Sequence, residues 1–453
     1  MTTDLVRRVM RPENPDWIIH SLLDVDFYKF TMGYYIFTLH RGVSVTFSLI
    51  NRNIRIPLAE IIDEGELRAQ LDHAMSLRLR RTDIAYLRGQ DVYGSNMFSE
   101  EYLRFLGNLQ LTPYTLTRVG NQFELSFTGP WEVVTFWETI AMAIISELLY
   151  RTLMRSLSET ELTVFFARAT NRIYEMLLRI KTRPWIRLAD FGTRRRFSFL
   201  WHQVVVQMCR EILGKQFSGT SNTWMAFNQD LIPIGTNAHE LPMVLTAIAE
   251  GDEAKRMAQY QVLREWQHLF PQGGLRITLP DTYGSEQFYK NMPKDLAFEV
   301  AHHWRGQRQD SGDPIKEGLN FVEWLSQQGV DAKKNEKVNI SSDGLDVDLM
   351  FVIDDALRDH IADPFGVGTH LTNIVGCHPR PSERAVVNGR TLDLTNGELF
   401  RGHSFVCKVV SANGNPAVKL SNNVNKATGP KDEVEKYLKI FGHAGRVTQD
   451  VFV

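Results

Sequence analysis

Along the first 150 residues the spacing of apolar positions changes several times. "HSLLDVDFYKFTMGYYIF" has helical spacing after an Asp-rich turn, whereas "VSVTFSLI" and "NQFELSFTG" read as strands. "VVTFWETIAMAIISELLYRTLM" is the longest apolar stretch, but Glu138, Glu147 and Arg151 interrupt it. Its period predicts a buried helix, not a membrane span. From about residue 160 a short apolar run repeatedly ends in a Gly, Ser or Asp cluster, and a helix-like segment follows. The seven run ends are "WIRLADFGT", "KQFSGTSN", "LIPIGTNAHE", "LRITLPDTYG", "HWRGQRQDSGDP", "VNISSDGLD" and "DPFGVGTHLT". Most are far enough apart for a returning helix, which predicts parallel strands joined by right-handed crossovers. After about residue 385, "TLDLTNGELF", "SFVCKVVSANGNPAVKLS" and "KDEVEKYLKIFG" predict further strands and a final helix. "SANGNP" carries hairpin turn chemistry.

The polar clusters all fall at the C-terminal ends of their strands. In a barrel those ends form one face, where the following loops build the active site. A doubly wound open sheet would draw its site mainly from one crevice. Seven motif-bearing ends favour the barrel. The expected organisation is a mixed α/β segment over 1–160, an α/β barrel over 161–384, and a segment over 385–453 that packs with the first.

Composition narrows the class. A chain of 453 residues is too long for one ordinary core, in keeping with two domains. A net charge of −2 gives no electrostatic case for a nucleic-acid or membrane partner. Cys209, Cys377 and Cys407 lie far apart with no CxxC spacing, which points to a reducing compartment and away from structural zinc. "MTTDLVRRVMRPENPDW" lacks the apolar run of a signal peptide, so a cytoplasmic protein is expected.

The loops carry the chemistry. In "SSDGLD" Gly344 lets backbone N–H groups point at an anion, and the helix that follows adds its dipole. "FGVGT" offers the same device one strand later, and two such turns on consecutive units match a barrel phosphate site. In "RGQRQDSGDP" Arg308 and Asp310 share one face of an extended strand end, while Ser311 or Asp313 can cap a helix with Pro314 in its first turn. Asp310, and Asp281 in "LPDTYG", could hold ribose hydroxyls or a magnesium ion on a pyrophosphate, or act catalytically by stabilising a cationic, oxocarbenium-like state at the anomeric carbon; alone, each would be a turn residue or a cap. "ADFGTRRRFS" places arginines, natural partners of carboxylate and phosphate, beside an aromatic that can stack on a flat ring. An anionic aromatic plus a phosphorylated sugar is the ligand class these loops suit.

In order along nearly the whole chain, "SLLDVDFYKFTM", "GPWEVVTFWE", "DFGTRRRFS", "GTSN", "GTNAHE", "DSGDP", "SDGLD", "FGVGTHLTN" and "VKLS" resemble the nicotinate phosphoribosyltransferases of bacteria and fungi. The resemblance implies an irregular type II phosphoribosyltransferase (β/α) barrel, with a mixed α/β domain formed from the N- and C-terminal segments. It implies synthesis of nicotinate mononucleotide from nicotinate and phosphoribosyl pyrophosphate, with ATP as co-substrate, Mg²⁺, and a phosphohistidine at His239. It puts Phe191 on the pyridine ring and Tyr28 on its other face, a tyrosine that dimeric relatives take from the neighbouring subunit. It gives Arg194 the carboxylate or a share of the pyrophosphate, Arg308 and Asp310 the phosphoribosyl group, and Asp343, Gly344, Gly366, Gly368 and Thr369 the 5′-phosphate. Ser221 is expected to face the pyridine's substituent, where nicotinamide-using relatives tend to have an aspartate. The metal ligands stay open, as does the choice between monomer and homodimer. One departure is "KLSNNVNK" where close relatives often read "KLSDSPGK", with Asn422 for Asp and Asn425 for Gly.

His239 can be read two ways from the residues. "NAHE" satisfies a capping pattern, with Asn237 as cap and Glu240 reaching back. Pro242 fits a helix that starts here, which puts His239 in or just before its first turn. A helix N-terminus disfavours the imidazolium and favours a phosphoryl group on the ring, and with the resemblance the catalytic role prevails. The competing functions are a nicotinamide-using enzyme, a phosphosugar aldolase or isomerase barrel, and a non-catalytic pyridine-nucleotide sensor. The aldolase or isomerase would need a lysine or glutamate at a strand end, and a sensor need not keep a phosphorylatable histidine.

Overall fold

Two sheets of opposite character organise the chain, and the site lies where they meet. In the computed structural model, residues 8–9, 17–52, 56–373, 384–387, 390–393, 403–423 and 427–443 are described. Asn425, Lys426 and Cys377 lie outside them.

The predicted N-terminal helix forms over Tyr28–Leu39, followed by β1 (Ser44–Asn51), β2 (Tyr114–Val119) and β3 (Gln122–Pro130). The apolar stretch becomes the helix Trp137–Met154, with every residue buried inside the protein. Its interrupting charges are satisfied there: Arg151 pairs with Glu147 at 2.7 Å, and Glu147 also accepts from the Phe199 amide at 2.8 Å. Its apolar length therefore serves the core.

The parallel strands are β4 (Leu188–Asp190), β5 (Phe217–Thr220), β6 (Ile277–Thr278), β7 (Gly306–Gln309), β8 (Val338–Ser341) and β9 (Phe365–Val367). Their order is β5-β4-β9-β8-β7-β6, and at least one helix follows each. Six of the seven predicted run ends are thus strands. The seventh, around Pro233, makes only a parallel bridge to Thr220, and Asn237 donates to the Ile277 carbonyl at 3.4 Å. Proline has no N–H for a ladder, so this segment closes the ring between β5 and β6 without becoming a regular strand. The result is the irregular barrel expected. A cavity of about 1170 Å³ is lined by strand residues such as Ile277, Ile340 and Phe365 together with Ile232.

β10 (Arg384–Val387) and β11 (Arg390–Asp393) pair with each other, while β12 (Phe405–Ala412) and β13 (Asn415–Pro416) return to the first sheet, whose order is β13-β12-β1-β3-β2. The β12–β13 turn has Asn413 at φ 47° and Gly414 at φ 81°, the positive pair that a two-residue hairpin needs. β12 pairs antiparallel with β1 from Val45 to Asn51, so segments from both ends of the chain form one sheet. The final helix spans Lys431–Ile440.

Candidate active site

A cavity of about 370 Å³ opens between the C-terminal ends of the barrel strands and the β1–β12 pair. Tyr28, Phe191, Arg194, His239, Arg308, Asp310, Asp343, Gly344, Gly368 and Thr369 all line it. Tyr28 reaches the cavity from the same chain as Phe191. Asp281, Ser221 and Gly366 do not line it.

The loop after β4 is built by Asp190, which is fully buried. One of its oxygens accepts from the Gly192 amide at 2.8 Å, the other from Thr220 at 2.6 Å, with His202 Nε2 also at 2.6 Å. Phe191 then turns toward β9, where a Cβ on Gly366 would come within 2.2 Å of its ring. Gly366 is therefore the floor under Phe191 and does not itself meet the cavity. The three arginines that follow have three fates. Arg194 faces the cavity, with Asp26 at 3.5 Å and Glu138 at 3.4 Å. Arg195 also lines it and donates to the Phe405 carbonyl at 3.1 Å. Arg196 is fully buried and forked onto Asp24 at 2.6 and 2.7 Å. Ser221 donates to Asp26 at 2.7 Å, so its hydroxyl is held behind Arg194.

His239 immediately precedes the helix Glu240–Ile248, in agreement with the position read from Pro242. The capping pattern read into "NAHE" is not what forms. Asn237 donates its side-chain amide to the Ile277 carbonyl, and the Glu240 carboxylate accepts from Lys29 and Trp131 Nε1, each at 2.6 Å. Around the histidine ring, Nδ1 lies 2.9 Å from Thr282 Oγ1, and Nε2 lies 2.9 Å from Lys419 Nζ and 3.1 Å from Asp310 Oδ2. Nε2 therefore faces both an ammonium, which can only donate, and a carboxylate, which can only accept, and these two contacts call for opposite tautomers of the neutral ring. The Thr282 hydroxyl can donate to Nδ1 or accept from it, so it suits either tautomer. Burial, and next the Lys419 charge, lower the His239 pKa to about 4, so the ring is neutral at pH 7. A neutral ring was expected from the helix terminus; burial and Lys419 account for it here.

Asp281 is fully buried, accepts from Ser311 at 2.6 Å, and lies 3.8 Å from His239 Nε2. Ser311 thus serves Asp281, while Asp313 caps the next helix through the Ile315 and Lys316 amides. Burial pushes the Asp310 pKa up, but the His239 contact, Arg308 and Lys419 outweigh it and hold it well below the ordinary value. The departure at Asn422 is structurally accommodated. Its side chain accepts from the Ser285 amide at 2.8 Å and donates to the Ser311 carbonyl at 3.2 Å, a bond that an aspartate could not donate.

Sequence reasoning missed several cavity residues, notably Arg52, Glu138, Lys408 and the role of Lys419. Burial lowers the pKa of Arg52, of Arg195 (to about 10) and, strongly, of Lys408; for the last two, neighbouring cations lower it further. Such a cluster gains free energy when an anion enters. Arg52 directly follows β1 and Lys408 sits in β12, and the local pattern marks neither as more than part of a strand region. Only the pairing of those strands over the barrel face brings them to the site.

Together, the barrel and the cation-lined cavity at its strand ends form the kind of site in which α/β barrels hold anionic ligands. Residues 186–443 match the nicotinate phosphoribosyltransferase (NAPRTase) family, and 23–146 match that family's N-terminal domain. The chain belongs to this family. It is similar to the crystal structure of nicotinate phosphoribosyltransferase from Porphyromonas gingivalis, with 27% identity, a TM-score of 0.76, and coverage of 94% of this chain and 100% of that one. The Vibrio cholerae nicotinate phosphoribosyltransferase structure has 27% identity, a TM-score of 0.79 and 96% coverage of both chains.

Proposed function

We propose that the chain transfers the 5-phosphoribosyl group of phosphoribosyl pyrophosphate to nicotinate, giving nicotinate mononucleotide and pyrophosphate, with ATP hydrolysis coupled through His239. Family membership supports the transfer. The coupling rests on one observation: a neutral histidine whose Nε2 lies 2.9 Å from the Lys419 ammonium, in the cavity that also holds Phe191 and Arg308.

Phe191 and Tyr28 offer apolar faces to the pyridine ring, and Arg194 offers a guanidinium for its carboxylate. The pyridine nitrogen attacks the anomeric carbon as the bond to pyrophosphate breaks. Positive charge develops on the ribosyl ring, and the Asp310 carboxylate stabilises it. Backbone at Asp343, Gly344 and Gly368 meets the 5′-phosphate, while Arg52, Arg195 and Lys408 offset the charge of the polyphosphates. In the ATP half-reaction His239 Nε2 attacks the γ-phosphorus and ADP leaves; water later releases phosphate. Lys419 meets the phosphoryl charge as it forms.

Asp281, Asp310 and His239 each bring one ligand atom to within 4.8 Å of the others, and Asp281 Oδ1 is buried with no hydrogen-bond partner. Magnesium takes oxygen ligands, so the two carboxylates fit it and the histidine nitrogen does not. Bound by Asp281 and Asp310, the ion would neutralise polyphosphate charge.

The test is incubation with nicotinate, phosphoribosyl pyrophosphate and magnesium, with and without ATP, followed by product mass. A mononucleotide whose yield rises with ATP is expected. No product on nicotinate, with product on nicotinamide, would move the chain to the nicotinamide-using class.

A further inference from the structure

Tyr28 and His239 come from distant parts of the chain, yet the residue after each is bonded to the residue after the other. Lys29 is fully buried and places Nζ 2.6 Å from Glu240 and 2.5 Å from Glu138. Burial would lower the Lys29 pKa, but the two carboxylates outweigh it and raise it. Glu138 in turn accepts from the Tyr28 hydroxyl at 3.2 Å and lies 3.4 Å from Arg194. An unbroken polar path therefore runs from the start of the His239 helix to both groups offered to the pyridine.

The backbone reinforces this path. Thr31 donates to the Thr236 carbonyl at 2.5 Å, and the Ala238 amide donates to Met32 Sδ at 3.1 Å. A Cβ on Gly235 would lie 2.7 Å from the Tyr28 nitrogen, so only glycine permits the approach. Residues 28–32 are thus docked step by step on 235–240. Lys29 cannot leave Glu240 without stranding a buried carboxylate, a strongly unfavourable change. Buried contacts hold the two segments together.

We propose that Lys29 is a positioning residue that couples the state of His239 to pyridine binding, with Glu240 and Glu138 as its two contacts. The inference rests on the phosphohistidine proposed above. Charge added to His239 Nε2 shifts the first turn of its helix, and Lys29 carries that shift to Tyr28 and Arg194. By linkage, nicotinate must affect phosphorylation by the same factor. A buried ion pair with a purely structural role would change stability and leave the coupling intact.

The full-length enzyme is tested as Glu240→Gln, which keeps an acceptor for Trp131 and removes the charge, and as Thr31→Val, which removes one docking bond. Three quantities are read: acid-labile phosphate from γ-labelled ATP, nicotinate affinity with and without ATP, and ATP consumed per mononucleotide formed. In the native enzyme ATP tightens nicotinate by about tenfold or more, within the usual range of coupling energies. In Glu240→Gln the tightening falls to about twofold or less and ATP consumed per product rises, while labelling falls less than the tightening does. Thr31→Val loses a smaller part of the tightening, and it reads the coupling even if Glu240→Gln does not fold. Native tightening in the folded variants, or a parallel loss of labelling and tightening, overturns the inference. A native enzyme that takes no label overturns the phosphohistidine and this inference together; a labelled native enzyme with normally coupled variants overturns this inference alone.

Discussion

Lys419 holds its ammonium 2.9 Å from Nε2 of His239, on the side of the ring that Asp310 also faces. The contact lowers the ring's basicity and puts a cation where a phosphoryl group would form. Lys419→Met removes both effects while keeping most of the side-chain volume. Phosphoenzyme formation from labelled ATP is expected to fall at least roughly a hundredfold, since a charge-assisted contact to the developing phosphoryl charge is lost. Labelling of this variant at the native rate would detach Lys419 from the reaction.

The depressed basicity of His239 also has a signature in stability. In the folded protein its pKa is about 4, against an ordinary value of 6.5. Between those values the unfolded chain takes up a proton that the folded chain does not. Stability therefore falls as pH drops from about 6.5 toward 4, by up to about 3 kcal/mol if the whole shift is realised. The depressed Asp310 carboxyl acts below this window, because it loses its contribution only as pH falls past its own ordinary value. Between urea midpoints measured at pH 7, 6 and 5, the native enzyme should lose more stability than His239→Gln as pH falls, because the variant lacks the histidine's share of the slope. Parallel curves would place the His239 pKa near its ordinary value.

Gly366 and Phe191 give a prediction about shape. A methyl on Gly366 would overlap the Phe191 ring at 2.2 Å, and the backbone on both sides is held in β4 and β9. Gly366→Ala must therefore turn the ring away from its place. The KM for nicotinate should rise roughly tenfold or more with a smaller effect on kcat, as expected when binding is lost in ground and transition states alike. An unchanged KM would mean that this ring does not stack on the pyridine.

Most of the barrel was legible in the sequence because each strand end carries its own punctuation: apolar run, small or acidic cluster, helix. Pro233 marks where that reading weakens, since an apolar run without an N–H at its centre cannot form a full ladder. The cavity residues on the barrel loops were legible for the same reason. Arg52 and Lys408 were not, because their function depends on long-range pairing of β1 with β12 that no local pattern specifies. Glu240 misled. Its spacing from Asn237 imitates a capping box, and only the buried Lys29, from more than two hundred residues away, shows what it binds.

Asp310 and Arg308 separate charge from shape. Asp310→Asn keeps the side-chain outline, but removes the carboxylate that would face a cationic ribosyl ring. Turnover should fall about a hundredfold or more, with phosphoribosyl pyrophosphate affinity changed far less. Arg308→Lys should not restore function to the site, because a point charge does not reproduce a planar fork. Undiminished turnover in Asp310→Asn would reduce that residue to part of the wall.

The choice between nicotinate and nicotinamide should rest on Arg194. Asp26 at 3.5 Å and Glu138 at 3.4 Å brace it from two sides, while the guanidinium lines the cavity. Nicotinate can offer it a carboxylate; nicotinamide offers only a neutral amide. Arg194→Gln should lower kcat/KM for nicotinate by roughly a hundredfold and for nicotinamide by less than about fivefold. Ser221 should matter differently from what its motif suggests. It is buried, lies outside the cavity lining, and donates its hydroxyl to Asp26 at 2.7 Å. Ser221→Ala should shift the preference between the two pyridines by less than about threefold, because it removes no group that a substituent can touch. Ser221→Asp would set two buried carboxylates against each other, and its main effect should be a loss of stability of about 3 kcal/mol or more. Measuring kcat/KM on both pyridines for all three variants decides the matter. If Ser221→Ala moved the preference more than tenfold while Arg194→Gln left it unchanged, the serine loop, and not the arginine, would discriminate the substituent.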